Sequence, residues 1–409
     1  MIKIKSCALF SLAMLFLSTP LLAQHRNSVY SMFGVGQIID DCYGVNKSLG
    51  GTGIAFHSGT TINYLNPASY TGILPSSFLM ETGVYGIYSR SESQSTQQTD
   101  GNINVSFFSS SIFLTNNWAM NFGIVPFSSV EYKVRYDDTI EGDPGTVEKT
   151  FTGNGGLNRV YLGNSIRLYK GLAVGFNAGF IFGPITQTES AEDNGNFSGY
   201  ELTNNRTAYG FYMDYGLQYS LAMASRTYTI GLIYGASRDL DSSDELVFSY
   251  DSNVHPLDAG VITDLKVPQK FGGGIAVEGS RYRAGFDYQW QQWSGINFTD
   301  RYTDTRNSSR YSLGLELTPD VQNKNSWLGS LTYRLGASYK NTYLELENTP
   351  IDAATVNVGI GFPWNKINSV NLSVEYGKEG TTNNGLVQNS YWAVYLNFAM
   401  HQFWNVHAR

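Results

Sequence analysis

The chain has 409 residues, a formal net charge of -7, 15% charged residues and 14% aromatic residues. Soluble domains carry about 25% charged residues, so this composition is unusual for one. The slightly negative mean hydropathy excludes a helical membrane protein, and moderate acidity without a basic patch excludes nucleic acid as a partner. Low charge without excess hydrophobicity is typical of an outer-membrane β-barrel, whose uncharged outer band lies between two aromatic girdles.

Residues 1–23 have the pattern of a secretory signal peptide. Two lysines precede an apolar run from Cys7 to Leu17, and Ala23 stands just before the predicted cleavage site. Removal of this peptide leaves Cys42 as the only cysteine. We therefore predict an exported protein with no intramolecular disulfide, no metal site and no cofactor.

Residues 24–76 differ from the rest of the chain in composition and in residue pattern. The stretch from Asn27 to Ile73 is dense in glycine and lacks sustained alternation of apolar and polar residues. We interpret it as a compact hatch, or plug, inside the lumen of a membrane barrel formed by residues 77–409.

The remaining chain is dominated by strand-like alternation. In Arg281 to Trp290 the even positions are apolar or aromatic and the odd positions are mainly polar, which predicts a strand with one face of each kind. Similar alternation recurs over 10-residue stretches, about the length of a tilted membrane-spanning strand. We predict an all-β membrane protein, an antiparallel transmembrane barrel of about 14 strands, in preference to a soluble β-sandwich.

Connectors between these strands are of two kinds. Short ones predict periplasmic turns and lie at Arg167–Lys170, Ala222–Arg226 and Gly279–Arg281. Long polar ones predict outward-facing loops and lie at Ser91–Asn102, Asp137–Lys149, Glu189–Arg206, Asp239–Pro268, Asn297–Ser309 and Thr381–Asn389.

The hatch contains two motifs that could carry function. Gly50, Gly51 and Gly53 lack the preceding strand, following helix and lysine of a phosphate-binding loop, so tight backbone packing inside the barrel is the better interpretation. The triplet Asn66, Pro67 and Ala68 reads as a turn, because asparagine before proline favours turn initiation. We predict that both motifs contribute to the hatch and its gating.

Catalysis has little support in the sequence, and we predict that the protein is not an enzyme. Neither an H-E-x-x-H nor a G-x-S-x-G motif is present. Asp40, Asp41 and His57 could be imagined as an acid–base group, but only their sequence proximity supports this. Six charged residues on strand faces are better explained as lumenal charge pairs: Glu278, Arg283, Asp287, Glu316, Arg334 and Glu375.

The order of these motifs resembles the FadL-type (TodX-like) outer-membrane transporters, and is most similar to the Bacteroidetes branch. The resemblance rests on Ser31, Gly34 and Gly36, on Ser48–Ala55, and on Asn66–Tyr70, with further short runs towards the carboxyl end. It implies a hatch-plugged barrel of 14 strands that takes up hydrophobic compounds such as long-chain fatty acids. In that family the ligand leaves sideways, through a gap in the wall beside a kinked strand. The matched triplet implies that Asn66, Pro67 and Ala68 are a hatch element.

Two functions follow from these observations. The first is passive uptake of a hydrophobic small molecule or fatty acid across the Gram-negative outer membrane, by a monomer in contact with outer-membrane lipid. The alternative is a non-transport barrel that acts as a scaffold for a cell-surface protein partner, or as a component of type IX-like secretion. A general porin is disfavoured because a plug would block an open channel. The substrate-binding residues remain unidentified from the sequence.

Overall fold

The computed structural model describes residues 28–139, 146–192, 199–250, 253–257, 265–296, 303–319, 327–346, 348–365 and 367–403. The predicted signal peptide lies outside these residues. The described part of the chain is almost entirely strand. The strands are β1 (Gln37–Ile38), β2 (Ser77–Glu92), β3 (Gln97–Thr115), β4 (Trp118–Pro126), β5 (Ser128–Thr139), β6 (Thr146–Gly155), β7 (Asn158–Tyr169), β8 (Leu172–Ala191), β9 (Tyr200–Met223), β10 (Arg226–Gly235), β11 (Arg238–Tyr250), β12 (Asn253–Leu257), β13 (Leu265–Val267), β14 (Gln269–Glu278), β15 (Tyr282–Gln292), β16 (Thr303–Thr305), β17 (Ser308–Leu317), β18 (Thr332–Leu346), β19 (Thr349–Pro363), β20 (Ser369–Gly380) and β21 (Gln388–Phe403). Five short 3₁₀ helices are η1 (Val29–Met32), η2 (Gly44–Leu49), η3 (Pro67–Gly72), η4 (Trp327–Ser330) and η5 (Asn383–Gly385). In the described residues, no helix is both long and apolar enough to span a membrane.

The strands close into an antiparallel barrel of 14 strands, which confirms the predicted fold class. Closure is made by β21, which pairs along its whole length with β2. Around the barrel the order is β2, β3, β4, β7, β8, β9, β10, β14, β15, β17, β18, β19, β20 and β21. Strands β5, β6, β11, β12 and β13 extend this wall beyond one end of the barrel, through pairs with one another and with β8 and β9.

Alternation along the strands separates an apolar outer face from a polar inner face. In β15, Phe286 and Tyr288 are 42% and 38% exposed, whereas Arg283 and Asp287 are buried. The exposed apolar face is the one that a membrane-spanning barrel presents to lipid. The charged side chains of the inner face must find partners within the lumen, since an unpaired buried charge is costly.

The two ends of the barrel differ in the length of their connections. At one end, which we call the turn end, β7 and β8, β9 and β10, and β14 and β15 are joined by two or three residues, as predicted. At the opposite end, which we call the loop end, the predicted loops were partly wrong. Asp239–Pro268 contains most of β11 and all of β12 and β13, while Glu189–Arg206 includes the ends of β8 and β9. These extensions lack sustained alternation, since Leu246, Val247 and Phe248 follow one another in β11, so they lose the pattern that marks a membrane strand while keeping its backbone pairing.

The wall of the barrel is interrupted beside β3. The last pair between β3 and β4 at the loop end is Phe108 with Ile124, and the rest of β3, from Gln97 to Phe107, pairs with β2 alone in the described part of the chain. On the far side of the interruption, β5 pairs with β6 on one edge. We call this region between β3 and β5 the wall break.

Residues 28–76 lie inside the barrel and supply none of its wall strands. Most of this N-terminal segment is buried, and Leu49, Ile54, Ala68 and Tyr70 are completely inaccessible to solvent. Full burial of a large apolar side chain contributes about 1.5 to 3 kcal/mol, so several such residues hold the segment in place. The lumen is therefore filled rather than open.

Candidate functional site

The N-terminal segment sits against a ring of inward-facing glycines on the barrel wall. At each of these positions an added Cβ atom would collide with the segment or lie within van der Waals contact of it. The ring is formed by Gly175, Gly216, Gly231, Gly274, Gly285, Gly314, Gly336 and Gly359. Because a missing side chain lets two backbones approach closely, the ring is a seat shaped for this segment.

The glycine motif of the segment occupies one side of this seat. Gly50 caps η2 in the left-handed conformation with φ of +65°, and its backbone lies against Ala337 of β18. Gly51, with φ of +79°, leaves the space in which the guanidinium of Arg310 lies. Arg310 donates from Nη2 to the Gly50 carbonyl at 2.9 Å. Positive φ and close approach both require glycine here, so the structure gives these residues a packing role.

Asn66, Pro67 and Ala68 occupy the opposite side of the seat. Asn66 caps η3, where its Oδ1 accepts from the Ala68 N–H at 3.0 Å. Its Nδ2 donates to the Ile54 carbonyl at 2.7 Å and to the Leu217 carbonyl of β9 at 3.2 Å. One side chain thus joins the two motifs to each other and to the wall.

Gly53 is held through a carboxylate of the barrel. Asp287 of β15 accepts from the Gly53 N–H at 2.6 Å and from the Ile54 N–H at 2.8 Å, both through Oδ2. Charge-assisted bonds of this kind are about twice as strong as neutral ones. All six motif residues predicted from the sequence are therefore brought together by contacts with the wall.

Asp41 of the N-terminal segment lies between two cations from different strands. Arg159 of β7 donates to it at 2.5 Å and Lys270 of β14 at 2.6 Å, and both cations also reach Asp214 of β9, at 3.6 Å and 3.0 Å. The side chains of Arg159 and Lys270 are 1% and 6% exposed. Burial alone would raise the pKa of Asp41, but Lys270 and Arg159 outweigh it and hold this pKa below its usual range.

Asp40 makes a similar pair of contacts on the other side of the lumen. It lies 2.9 Å from Lys340 Nζ of β18 and 3.4 Å from Arg310 Nη1 of β17. Its pKa is also lowered, because these two cations outweigh the desolvation that would raise it. Asp40 and Asp41 together tie the segment to four strands, and we call them the aspartate pair.

A second charged cluster holds the wall itself together. Glu316 of β17 accepts from Arg334 at 2.6 Å and lies 3.1 Å from Arg283. This confirms Arg283, Glu316 and Arg334 as lumenal charge pairs, whereas Asp287 accepts from backbone N–H groups instead and Glu278 is exposed. Glu375 is satisfied differently, by Asn357 at 2.6 Å and the Tyr391 hydroxyl at 2.9 Å.

The imagined acid–base group is not assembled. Both members of the aspartate pair are engaged by cations, while His57 packs beside Gly72 and its carbonyl accepts from Arg283 at 3.1 Å. Within the described residues, no group of three or more histidine, cysteine, aspartate or glutamate side chains is arranged to hold a metal ion.

A cavity of about 160 Å³ lies within the lumen between two parts of the N-terminal segment. Tyr30, Gln37 and Ile38 border it from one part of the segment, and Tyr43 and Lys47 from the other. The barrel contributes an aromatic and aliphatic lining at Tyr85, Ile87, Tyr343, Leu344, Tyr391 and Tyr395. The lining also carries charge at Asp40, Lys47, Lys340, Glu375 and Glu379, and polar groups at Gln37, Ser338, Thr342 and Thr355.

The cavity extends to the wall break. Ser106 of β3 and Ser129 of β5, which stand on its two sides, both line the cavity, together with Pro126 at the end of β4. The N-terminal segment covers the free edge of β5 at this point. Strand β1 pairs there through Gln37 with Ser129, and the Ser28 N–H donates to the Glu131 carbonyl at 2.9 Å.

Sequence reasoning missed the cations that hold the aspartate pair. Arg159, Lys270, Arg310 and Lys340 were not singled out because each is a lone charge in a different strand, and they meet only when the barrel closes. The sequence does contain a signal for these cations, since each stands at an inward-facing position in the apolar–polar alternation of its strand.

Solved structures with the same fold are known transport proteins. The Pseudomonas putida toluene transporter TodX is 16% identical, with a TM-score of 0.62 over 90% of this chain and 100% of that chain. The Ralstonia pickettii toluene transporter TbuX is 14% identical, with a TM-score of 0.60 over 88% and 98% of the two chains. A Pseudomonas aeruginosa FadL homologue is 12% identical, with a TM-score of 0.54 over 91% and 99%. At these identities the similarity establishes the fold.

The sequence comparisons indicate a family different from the one suggested by the resemblance. No curated protein matches the chain. The model of the BamG family matches residues 1–409, whereas the FadL and TodX proteins are similar in structure. Because this match covers the full length, the chain belongs to the BamG family.

Proposed function

We propose that the protein is an outer-membrane channel for small hydrophobic compounds, gated by movement of the N-terminal segment. In this proposal residues 24–76 act as the hatch, and Gly50, Gly51, Gly53, Asn66, Pro67 and Ala68 hold its closed position. The turn end faces the periplasm and the loop end faces the exterior, in keeping with the usual arrangement of outer-membrane barrels. The role is transport rather than catalysis.

One observation carries the proposal. The lumenal cavity borders the wall break on one side and is otherwise enclosed by the N-terminal segment and the inner face of the barrel. A compound held in the cavity needs to pass only the cover formed by η1 and β1 to reach the membrane sideways. Sideways release keeps an apolar molecule out of water, which would otherwise cost about 25 cal/mol per Å² of apolar surface.

The size of the cavity favours a compound with a single ring. A protein cavity of about 150 Å³ lined by apolar side chains binds benzene, and this one has a similar volume of about 160 Å³ with charged and polar residues in part of its lining. An extended long-chain fatty acid would need the segment to move further. The similarity to two toluene transporters and a monoaromatic hydrocarbon channel supports the same size of substrate.

A second candidate is a permanently closed barrel that serves as a scaffold. The observation in its favour is the strength of the closure, because the aspartate pair contacts four buried or partly buried cations. Removing one partner from a buried ion pair costs about 3 to 5 kcal/mol. A hatch held in this way opens rarely unless something weakens these contacts.

A reversible crosslink across β1 and β5 separates the two candidates. Gln37 and Ser129 are directly paired, so Gln37→Cys with Ser129→Cys in a Cys42→Ser background would form a disulfide that fixes the segment to the wall. The assay is uptake of radiolabelled toluene by intact cells of a Gram-negative host that has no hydrocarbon channel of its own. We expect uptake by the native protein, its loss on oxidation of the cysteine pair, and its recovery on reduction.

The matched control is Thr186→Cys with Asn205→Cys, which joins β8 to β9 at the loop end without involving the segment. Oxidation of this pair should leave uptake unchanged. Uptake by the native protein that equals the empty-vector level would contradict the channel proposal and favour the scaffold.

A further inference from the structure

The lipid-facing wall carries an apolar groove that is separate from the lumen. It has a volume of about 480 Å³ and crosses β9, β10, β14 and β15, with a contribution from β8. Its lining is almost entirely apolar and includes Leu217, Leu232, Phe271 and Tyr288. These side chains are 36% to 53% exposed and point away from the lumen.

The groove exists because one outward position lacks a side chain. Gly273 of β14 pairs with Leu232 of β10 on one side and with Tyr288 of β15 on the other. The row continues from Leu232 to Leu217 of β9. The larger neighbours therefore form two walls, and the glycine backbone forms the floor between them.

The groove borders an aromatic row on its loop-end side. Tyr215, Tyr234, Phe271 and Trp290 follow one another across four strands, with ring centroids 6.2, 5.0 and 6.0 Å apart. Such rows mark the membrane interface of a barrel. The groove at Gly273, one row nearer the turn end, consequently lies at the depth of the hydrocarbon.

We propose that this groove is a binding site for one acyl chain of a membrane lipid. The surrounding wall is the lipid-facing surface, and the groove opens only onto that surface, so hydrocarbon is the medium that fills it. The proposal goes beyond the channel function and is independent of it, because the groove is centred on β10 and β14 whereas the wall break lies between β3 and β5.

The inner side of the same wall connects the groove to the N-terminal segment. Gly216 and Gly272, whose backbones also line the groove, face Asn66 and Ile54 on the lumenal side. A single layer of backbone separates an acyl chain in the groove from the seat of the segment. Occupancy of the groove is thus placed to support the wall where the N-terminal segment rests against it.

The test is photolabelling by a phosphatidylcholine whose acyl chain carries a diazirine. The full protein, refolded into phosphatidylcholine vesicles containing this probe, is irradiated, and the labelled peptides are located by mass spectrometry. We expect labels to concentrate on β10 and β14. The variant Gly273→Leu fills the groove and should lower their labelling to the level of the neighbouring wall strands, because its side chain takes the space of the acyl chain.

The matched control is Gly86→Leu, at another outward-facing glycine on β2. Added Cβ atoms at Gly273 and Gly86 would stand 3.6 Å and 3.7 Å from their nearest neighbours, so both positions accept a side chain without a clash. The control should label β10 and β14 like the native protein. If Gly273→Leu does not fold, Gly273→Ala replaces it, with a smaller loss expected.

Two outcomes would overturn the proposal. One is even labelling around the barrel that Gly273→Leu leaves unchanged, which would make the groove part of the general lipid contact. The other is crosslinking of β14 to a second copy of the chain in place of lipid, which would make the groove an interface between barrels.

Discussion

The aspartate pair gives the most direct test of how the N-terminal segment is held. Asp41→Asn keeps the shape of the side chain but removes the charge that contacts Arg159 at 2.5 Å and Lys270 at 2.6 Å. Both cations are almost completely buried and, among the residues that the structure describes, would retain only Asp214 as a carboxylate partner. We therefore expect a cost near the lower limit for a broken buried ion pair, about 3 kcal/mol.

The alkylation rate of Cys42 measures this loss of stability directly. It is 1% exposed in the closed protein and is the only cysteine in a chain expressed without residues 1–23. Its alkylation by a maleimide therefore requires the segment to move, and the rate follows the population of the open form. A change of 3 kcal/mol predicts alkylation about 100-fold faster in Asp41→Asn than in the native protein.

The control is Asp138→Asn, which removes an ion pair of similar length, 2.8 Å to Lys149, but at a side chain that is 39% exposed. Surface pairs contribute about 0 to 1 kcal/mol, so its alkylation rate should stay close to the native one. Each rate is divided by that of the denatured variant, which removes the effect of the neighbouring charge on the thiol. Equal normalised rates in the two variants would refute the assignment of Asp41 as an anchor of the segment.

Three further predictions use the same closed state. Gly336→Ala places a methyl group against the backbone of Leu49, which should cost about 1 to 3 kcal/mol as overpacking and accelerate Cys42 alkylation, whereas Gly86→Ala should not. Lys270 and Arg159 lower the pKa of Asp41 despite its burial, so its contribution is complete above about pH 4 and is lost only as the pH falls through the lowered value. The difference in hydrogen exchange of residues 28–76 between the native protein and Asp41→Asn should therefore be constant from about pH 5 to 8 and shrink below about pH 4. Glu81 is fully buried and accepts from the Ile62 N–H at 2.8 Å, but it forms no ion pair among the described residues. Glu81→Gln keeps an oxygen for this hydrogen bond and should raise the free energy of unfolding by about 1 kcal/mol in denaturant titrations. A lower free energy of unfolding would show that the carboxyl group of Glu81 has a further partner.

Much of the barrel could be predicted from local pattern. In Arg281 to Trp290, side chains alternate because a strand places successive residues on opposite faces, and this holds wherever one face meets lipid. The pattern failed at β11 and β12, where both faces meet water and no alternation is required. It also gave no information on the wall break, because an interruption of pairing beside β3 depends on which strands become neighbours.

The sequence by itself determined the membrane class, the antiparallel barrel and its approximate strand number, since these follow from composition and from a period of two residues. It also marked Gly50 and Asn66 as special, because only particular residues suit those backbone positions. Only the tertiary structure decided which groups the charges and glycines of the inner face contact. Asp41 meets Lys270 over 229 positions of sequence, and Gly336 meets Leu49 only after the wall has closed. Such contacts are set by strand order and register, which no local pattern contains.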